Sequence, residues 1–303
     1  FGLGICIHLA LSNFKIVMMP RFKAKDAIKL IKKHRINYLA GIPPMYEKML
    51  KEKSFDGRYL SSLLYIFCGA EKLNQKIKKE FDSILKKNNC TAEIFEGYGL
   101  SEVASVLTVN VKGENKAGTQ GKPIDGARIK IVNKKGKECP PNVAGETLAQ
   151  SKSMMISYLD NNNDDIFHID KDKQKWLKTG DLGYLDEDGY YVFKDRIKRI
   201  IKIAGVNIFP SEIEQTVCKM KEVDMACVVR SQKDNKPCTK LYIKLNKAFK
   251  YSVLIENRIK SVIEEEFIKY AVPCQIIPVE KMHLTLMGKV DYGKYEMMER
   301  GER

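Results

Sequence analysis

Helical and strand patterns alternate along residues 23–110, and this alternation constrains the fold more than any other feature of the sequence. Apolar residues recur at helical spacing in Lys23–Arg35, and Asn74 is a suitable cap for a second helix. Apolar runs between these segments predict strands at Ile36–Ala40, Ser62–Phe67 and Ala92–Phe95. Strands separated by helices favour a parallel sheet, and such sheets bind ligands beyond the carboxyl ends of their strands.

The pattern changes twice further along the chain. Short strands and turns dominate residues 118–196, with a hairpin turn at 186–189, and they predict a small β-barrel-like subdomain. After Lys198 helices and strands alternate again, beginning with a capping box at Ser211–Glu214 and including a long helix at 252–270. We therefore predict an α/β protein with two domains, 1–197 (an α/β layer at 1–117, a β-rich subdomain at 118–197) and a small α+β domain at 198–303.

Composition limits the class of protein. The 303 residues are 44% hydrophobic and carry a net charge of +15, with lysines spread along helix faces rather than gathered in one basic arm. No apolar run reaches the ~18 residues that a membrane span needs, and we recognise no signal peptide. The eight cysteines form no CxxC pair and show no metal-ligand spacing, which favours a reduced, cytoplasmic protein. A basic nucleic-acid-binding module is the remote alternative, although we expect no nucleic acid as a partner.

The segment Glu96-Gly97-Tyr98-Gly99-Leu100-Ser101-Glu102 follows a predicted strand and has the composition of a nucleotide site. Gly97 and Gly99 would let the backbone approach a ligand closely, and Tyr98 offers a ring face to a base. Ser101 can donate to a phosphoryl oxygen, and Glu102 is a hard oxygen ligand suited to Mg²⁺.

Three further motifs follow in order. Thr179-Gly180-Asp181 is ordinary turn chemistry by itself, but a carboxylate at a strand end can hold two ribose hydroxyl groups. The second motif runs from Asp195-Arg196-Ile197-Lys198 to Pro210-Ser211-Glu212-Ile213-Glu214, and the third is Thr285-Leu286-Met287-Gly288-Lys289-Val290.

Together these motifs resemble those of the adenylate-forming (AMP-binding) superfamily, which includes acyl-CoA synthetases, carrier-protein adenylation domains and luciferases. The family's YGxTE is present here as YGLSE, followed by TGD, DRxK, PSEIE and a terminal TxxGKV, and the resemblance covers nearly the whole chain. Phe1-Gly2 is similar to the end of the family's PLFHxxG segment, and Gly41-Ile42-Pro43-Pro44 to its GVPP turn.

The resemblance implies roles in adenine binding for five residues. Gly69, Ala70 and Glu71 would line the plane of the adenine, and Tyr98 would stack on it. Glu96 lies at the position from which the family reads the adenine amine.

It also implies roles around the phosphates and the ribose. Ser101 would donate to the α-phosphate and Glu102 would bind Mg²⁺. Asp181 would hold the ribose hydroxyl groups, with Arg196 as its partner.

In the predicted C-terminal domain, the resemblance places Lys198 at the interdomain hinge and makes the domain mobile. Lys289 matches the lysine that bridges carboxylate and α-phosphate during adenylation. Gly205 and Lys202 would lie on the opposite face, where the thioester forms.

The implied activity is an acyl-CoA synthetase that uses ATP, Mg²⁺ and CoA to activate a fatty or other organic acid. Loading of a carrier-protein phosphopantetheine is the alternative. The acid cannot be identified from the sequence, although Ile5, Cys6 and Leu100 are candidate pocket residues. A homodimer is possible. We find neither the family's phosphate loop nor a GxxxxGK[ST] motif, so residues 1–197 are expected to be the remainder of a large domain, and the 303 residues alone are expected to be inactive.

Overall fold

The computed structural model describes residues 11–71, 73–159, 165–285 and 288–301. It divides into two compact units, Phe1–Phe193 and Lys194–Arg303. The resemblance at Phe1-Gly2 and the candidate pocket residues Ile5 and Cys6 lie outside the described residues. Within the described ranges, no helix is both long enough and apolar enough to cross a membrane.

The first part of the first unit alternates helices and strands, as predicted. Its elements are α1 (Ala24–His34), β1 (Tyr38–Gly41), α2 (Pro43–Leu50), a 3₁₀ turn (Arg58–Ser62), β2 (Tyr65–Cys68), α3 (Gln75–Lys87), β3 (Ile94–Tyr98), a 3₁₀ turn (Ser101–Val103), β4 (Thr108–Val109) and β5 (Lys122–Pro123). The strands form one sheet in the order β1-β2-β3-β4-β5. Its first three strands are parallel, whereas β4 and β5 pair antiparallel. The predicted α/β fold is confirmed.

Local signals explain where the helices begin. The side chain of Asn74 accepts a hydrogen bond from the amide of Lys76 and caps α3. Pro43 occupies the first position of α2, where its missing N–H costs no hydrogen bond, so the predicted turn at 41–44 is instead a helix start. The predicted strand at Ser62–Phe67 begins only at Tyr65, because Ser62 ends the 3₁₀ turn and its hydroxyl group donates to the carbonyl of Ile36.

A second sheet follows in the first unit, and its last strand continues along the chain into the second unit. It contains β6 (Ala127–Val132), β7 (Gly145–Ser151), β8 (Phe167–Ile169), β9 (Lys175–Leu185) and β10 (Tyr191–Arg196). The order is β10-β9-β7-β6, with β8 paired to β9, and the β6–β7, β7–β9 and β8–β9 pairs are antiparallel. Trp176 is buried on β9 beside Leu148 and Val132. The predicted β-rich region is therefore an antiparallel sheet.

The second unit has its own core. Its elements are a 3₁₀ turn (Ile197–Arg199), β11 (Ile201–Ile203), β12 (Val206–Ile208), α4 (Pro210–Cys218), β13 (Val223–Lys233), β14 (Lys236–Leu245), α5 (Val253–Glu266), a 3₁₀ turn (Lys269–Ala271), β15 (Gln275–Pro278) and α6 (Tyr292–Arg300). Strands β13 and β14 are antiparallel, and β15 joins β14 in parallel. Ile213 and Val217 of α4 and Ile259 and Ile263 of α5 pack on this sheet.

Two expectations about this unit are wrong. The predicted capping box at Ser211–Glu214 does not form, because the Asp195 carboxylate accepts from the Ser211 amide while the Ser211 hydroxyl group donates to the carbonyl of Lys194. Cys238 and Cys274 are joined by a disulfide rather than reduced, since β14 and the start of β15 hold their Cα atoms 6.1 Å apart.

Candidate functional site

The carboxyl ends of β2 and β3 form the edge at which the first motif lies. Cys68, the last residue of β2, pairs with Glu96 of β3, so the turn Gly69–Glu71 leaves the sheet beside Gly97 and Tyr98, the last two residues of β3. The amide of Gly69 donates to the carbonyl of Gly41, and Ala70 has a left-handed φ of 69°. The structure thus brings together two segments that the sequence resemblance assigned to one adenine pocket.

Glu96 is a buried acid at this edge, with 4% of its surface exposed. Its carboxylate accepts hydrogen bonds from the amide of Leu73 at 3.3 Å and from the side chain of Gln75 at 3.1 Å. These bonds tie β3 to the segment that enters α3. The orientation of the Glu96 carboxylate is therefore set by the protein itself, and its contact with an adenine amine stays a prediction.

Tyr98 ends β3 and connects the two sheets of the first unit. Its ring lies against those of Tyr191 and Phe193, with centroids 4.7 and 6.3 Å away. Its hydroxyl group donates to the carboxylate of Asp181 at 2.6 Å. Burial raises the pKa of Tyr98 well above its usual value, and Tyr191 and Asp181 add to this effect. The hydroxyl group therefore stays protonated and donates to Asp181. This hydrogen bond joins Tyr98, which is predicted to bind adenine, to Asp181, which is predicted to bind ribose.

Asp181 lies inside strand β9, not in a turn as its Thr-Gly-Asp sequence predicted. Leu148 pairs with Lys178 and Glu146 with Leu182, so β9 has two more residues than β7 between these pairs. The Thr179 hydroxyl group donates to the carbonyl of Thr147 at 2.7 Å and accepts from the amide of Asp181 at 3.1 Å.

The result is a β-bulge, and its geometry requires glycine at its centre. Gly180 has a φ of 70°, a conformation that costs other residues about 1–2 kcal/mol. Bulges redirect the side chain beside them, and here the redirected group is Asp181, which is only 6% exposed.

The chain folds back on itself after Tyr98. Leu107 donates its amide to the carbonyl of Tyr98 at 2.8 Å, and a Cβ on Gly99 would lie 1.6 Å from the carbonyl oxygen of Ser105. Gly97 is also confined, since its Cβ would lie 2.9 Å from the carbonyl of Thr108. These glycines permit close approach to other parts of the chain, which the sequence interpretation had assigned to a ligand.

Ser101 and Glu102 form the short 3₁₀ turn after this fold. Ser101 is exposed, and the Glu102 carboxylate accepts a 2.5 Å hydrogen bond from the hydroxyl group of Tyr158. The Glu102 carbonyl accepts from the amide of Met155 at 2.7 Å, so the segment 155–158 is fixed to the turn by two contacts.

The donor set at Glu102 is compatible with Mg²⁺ held mainly by a substrate. Among the residues that the structure describes, no group of three or more His, Cys, Asp or Glu side chains could hold a metal ion. Mg²⁺ commonly uses one or two carboxylates together with phosphate oxygens, and Glu102 supplies one such carboxylate.

In the second unit, the predicted residues lie in three places, the last of which is around Lys289. Arg196 and Lys198 belong to the segment around the 3₁₀ turn, where the Asp195 carboxylate accepts from the amide of Arg196 at 2.8 Å. Lys202 pairs with Asn207 across the β11–β12 hairpin, whose tip contains Gly205 with a φ of 81°. The roles of Arg196 at the ribose, of Lys198 as a hinge and of Lys202 and Gly205 in thioester formation stay predictions.

Lys289 lies near the end of a separate β-hairpin. Leu284 and Val290 form a β-bridge, Thr285 donates its amide to the carbonyl of Lys289 at 2.7 Å, and Gly288 has a φ of 81°. Leu286 and Met287 lie outside the described residues. We call residues 283–285 and 288–291 the lysine hairpin.

Sequence reasoning missed Tyr158 and Thr147, which contact the predicted residues. Tyr158 is 56 residues from Glu102 in sequence, and Thr147 is 32 residues from Thr179. The available signal was weak: an aromatic residue before an asparagine-rich stretch, and a threonine in a β-rich segment.

The fold is shared with structurally characterised adenylate-forming enzymes. One is o-succinylbenzoate CoA synthetase from Bacillus subtilis in complex with the acyl-adenylate intermediate OSB-AMP, with a TM-score of 0.82 and 23% sequence identity over 97% of this chain and 58% of that one.

The family is shown by sequence. The model of the AMP-binding enzyme family matches residues 1–159, and the chain belongs to this family. A probable 4-coumarate–CoA ligase 3 of Dictyostelium discoideum is 33% identical over 75% of this chain and 41% of its own length. A long-chain-fatty-acid–CoA ligase of Bacillus subtilis is 27% identical over 96% of the chain and 50% of its own length. The chain thus spans about half the length of the curated relatives that it matches.

Proposed function

We propose that the protein is an ATP-dependent acid–CoA ligase. The acid's carboxylate oxygen attacks the α-phosphorus of ATP, pyrophosphate leaves, and an acyl-AMP remains. The CoA thiolate then attacks the acyl carbon, and AMP leaves. The observation that carries the proposal is the Tyr98–Asp181 hydrogen bond, because it holds an aromatic ring and a buried carboxylate together at the carboxyl end of the parallel strands, where sheets of this type bind ligands.

The residues would divide the work by chemistry. Asp181 would accept hydrogen bonds from the ribose hydroxyl groups, and Ser101 would donate one to the α-phosphate. Mg²⁺ bound by Glu102 and phosphate oxygens would neutralise charge on the triphosphate. Lys289 would place its ammonium group where carboxylate and phosphate oxygens approach each other, since a positioned cation stabilises the charge that develops there.

Two relatives point to two classes of acid. One group is named for 4-coumarate, an aromatic acid, and another for long-chain fatty acids. We propose that the substrate belongs to one of these classes. ATP–pyrophosphate exchange by the full-length protein with a panel of both acid types tests this, and AMP release with free CoA or a holo-carrier protein then identifies the acceptor. The absence of exchange with every acid, together with no AMP release, would contradict the proposed function.

The Asp181 assignment has a sharper test. Asp181→Asn keeps an oxygen acceptor for the Tyr98 hydroxyl group but loses the charge that would hold ribose. Charge-assisted hydrogen bonds contribute about 1.5–3 kcal/mol each, so the KM for ATP should rise at least about tenfold. Steady-state kinetics at saturating acid measure this.

Asp170→Asn is the matched control. Asp170 is another mostly buried carboxylate of the same unit, and it accepts from the Trp176 indole at 2.8 Å and pairs with Lys130. Asp170→Asn should lower stability and leave the KM for ATP unchanged. Equal KM values for wild type and Asp181→Asn would remove Asp181 from the ribose site.

A further inference from the structure

A buried charged cluster lies in the second unit outside the motifs assigned to chemistry. Glu214 of α4 is 7% exposed, and its carboxylate accepts from the Arg199 guanidinium and from the amide of Val228, both at 2.7 Å. Tyr292 completes the cluster: its hydroxyl group donates to the other Glu214 oxygen at 3.2 Å, and its ring lies 3.5 Å from the Arg199 guanidinium. We call Arg199, Glu214 and Tyr292 the buried anchor.

Tyr292 is the first residue of α6. This helix is attached to the lysine hairpin at residue 283 by a hydrogen bond and at residue 291 by the chain itself. The amide of His283 donates to the hydroxyl group of Tyr295 at 3.1 Å, and the amide of Asp291 donates to the carbonyl of His283 at 2.9 Å. Asp291 also caps α6, since its carboxylate accepts from the amide of Lys294. Tyr295 is 1% exposed, so the base of the hairpin is attached to a packed residue.

The contacts therefore form a continuous chain from the hinge segment to Lys289. Arg199 follows the predicted hinge residue Lys198 directly, Glu214 joins Arg199 to Tyr292, and α6 joins Tyr292 to the hairpin. The links are covalent at Lys198–Arg199 and along α6, and hydrogen bonds or an ion pair elsewhere, all within the second unit. A charged group in a low-dielectric cluster is held more strongly than a surface pair, because breaking it would leave an uncompensated charge.

We propose that the buried anchor is a set of positioning residues for Lys289, which fixes the lysine hairpin to the segment after the hinge. The proposal rests on the proposed function, in which Lys289 acts in adenylation. The anchor touches no reacting atom. Its effect is to keep the ammonium group of Lys289 at one place relative to Arg199, and a displacement of about 1 Å at such a group can cost as much as about 100-fold in rate.

The test is Tyr292→Phe in the full-length protein. This change keeps the ring over Arg199 and removes the hydrogen bond to Glu214. We expect kcat for adenylation to fall about tenfold, with the KM for ATP unchanged and thioester formation from supplied acyl-AMP unchanged. Hydrogen exchange at the amide of Asp291 should become faster, which is a readout that does not depend on activity.

Tyr251→Phe is the matched control. Tyr251 also donates to a glutamate of the same unit, Glu256 of α5, at 2.6 Å, but neither residue lies on the path to the hairpin. Tyr251 itself lies just before α5, and Tyr251→Phe should leave adenylation and exchange at Asp291 unchanged. Equal losses in both half-reactions for Tyr292→Phe, or equal effects of the two variants, would overturn the proposal. A wild-type protein without adenylation activity would instead contradict the proposed function, while the exchange measurement would still test the anchor.

Discussion

Gly99→Ala should destabilise the first unit through a single steric conflict. The added Cβ would lie 1.6 Å from the carbonyl oxygen of Ser105 and 2.8 Å from the Cα of Val106, both backbone atoms, whereas real Cβ contacts stay above 3.0 Å. The Ser105 carbonyl would have to retreat by about 1.4 Å. Neighbouring backbone bonds oppose this shift, since the Ser105 amide donates to Leu100 and the Leu107 amide to Tyr98.

We expect a loss of about 3 kcal/mol in the free energy of unfolding. Overpacking of this kind costs about 1–3 kcal/mol, and one backbone hydrogen bond that breaks to relieve it adds about 1 kcal/mol. Urea unfolding followed by tryptophan fluorescence measures the loss, because Trp176 is the one tryptophan of this sequence and is buried in the same unit.

Gly118→Ala is the control for this prediction. Gly118 has a φ of 81°, and a Cβ there would meet no described atom within 4 Å. Its substitution therefore costs only the left-handed backbone strain of about 1–2 kcal/mol. A Gly99→Ala protein as stable as Gly118→Ala would refute the steric reasoning.

Two further predictions concern single acidic groups. Tyr158→Phe removes the hydrogen bond that orients Glu102, so the Mg²⁺ concentration for half-maximal adenylation should rise about tenfold; an Mg²⁺ titration with unchanged midpoint would contradict this. Burial raises the pKa of the Glu214 carboxyl group from 4.5 to about 7, although the Arg199 guanidinium opposes the rise. The folded state then binds the proton more tightly, so this group's contribution to stability is complete below pH 4.5 and is lost as pH rises through about 7. Glu214→Gln should remove this pH dependence of stability, as measured by hydrogen exchange of α4 amides between pH 4.5 and 8.

The sequence predicted those elements whose signals are local. Helices α1 and α3 have an apolar face at regular spacing, and Asn74 marks the start of α3 within two residues of the amide that it caps. Strand β3 was also predicted, because an apolar run leads directly into a glycine-containing segment, although the strand continues to Tyr98 rather than ending at Phe95. In these cases the determinants of structure are close together in sequence, and a pattern is enough.

Elements that depend on distant partners were not predicted. The Thr179–Asp181 bulge needs the carbonyl of Thr147 on another strand, so its sequence alone indicated a turn. Helix α6 was missed because Tyr295 is the one buried residue of this helix, so the sequence shows no apolar periodicity there. The start of α4 depends on Asp195, sixteen residues earlier in the chain.

The candidate site shows the same division. The first motif lies at the carboxyl end of the parallel strands, as its sequence predicted, but the sequence did not indicate which groups contact one another there. Tyr98 was predicted to face adenine and Asp181 to face ribose, and neither prediction included the hydrogen bond between them. Contacts of this kind depend on side chains 83 residues apart and become visible only once both sheets are placed.

The bulge in β9 also restricts how the length of this strand can vary. It adds two residues relative to β7, an even number, so side chains on either side of it keep the same alternation between the faces of the sheet. Loss or gain of a single residue between Lys178 and Leu182 would reverse that alternation and move Trp176 and its neighbours to the opposite face. Related sequences that pair with β7 in this way are therefore expected to differ in this segment by two residues or by none.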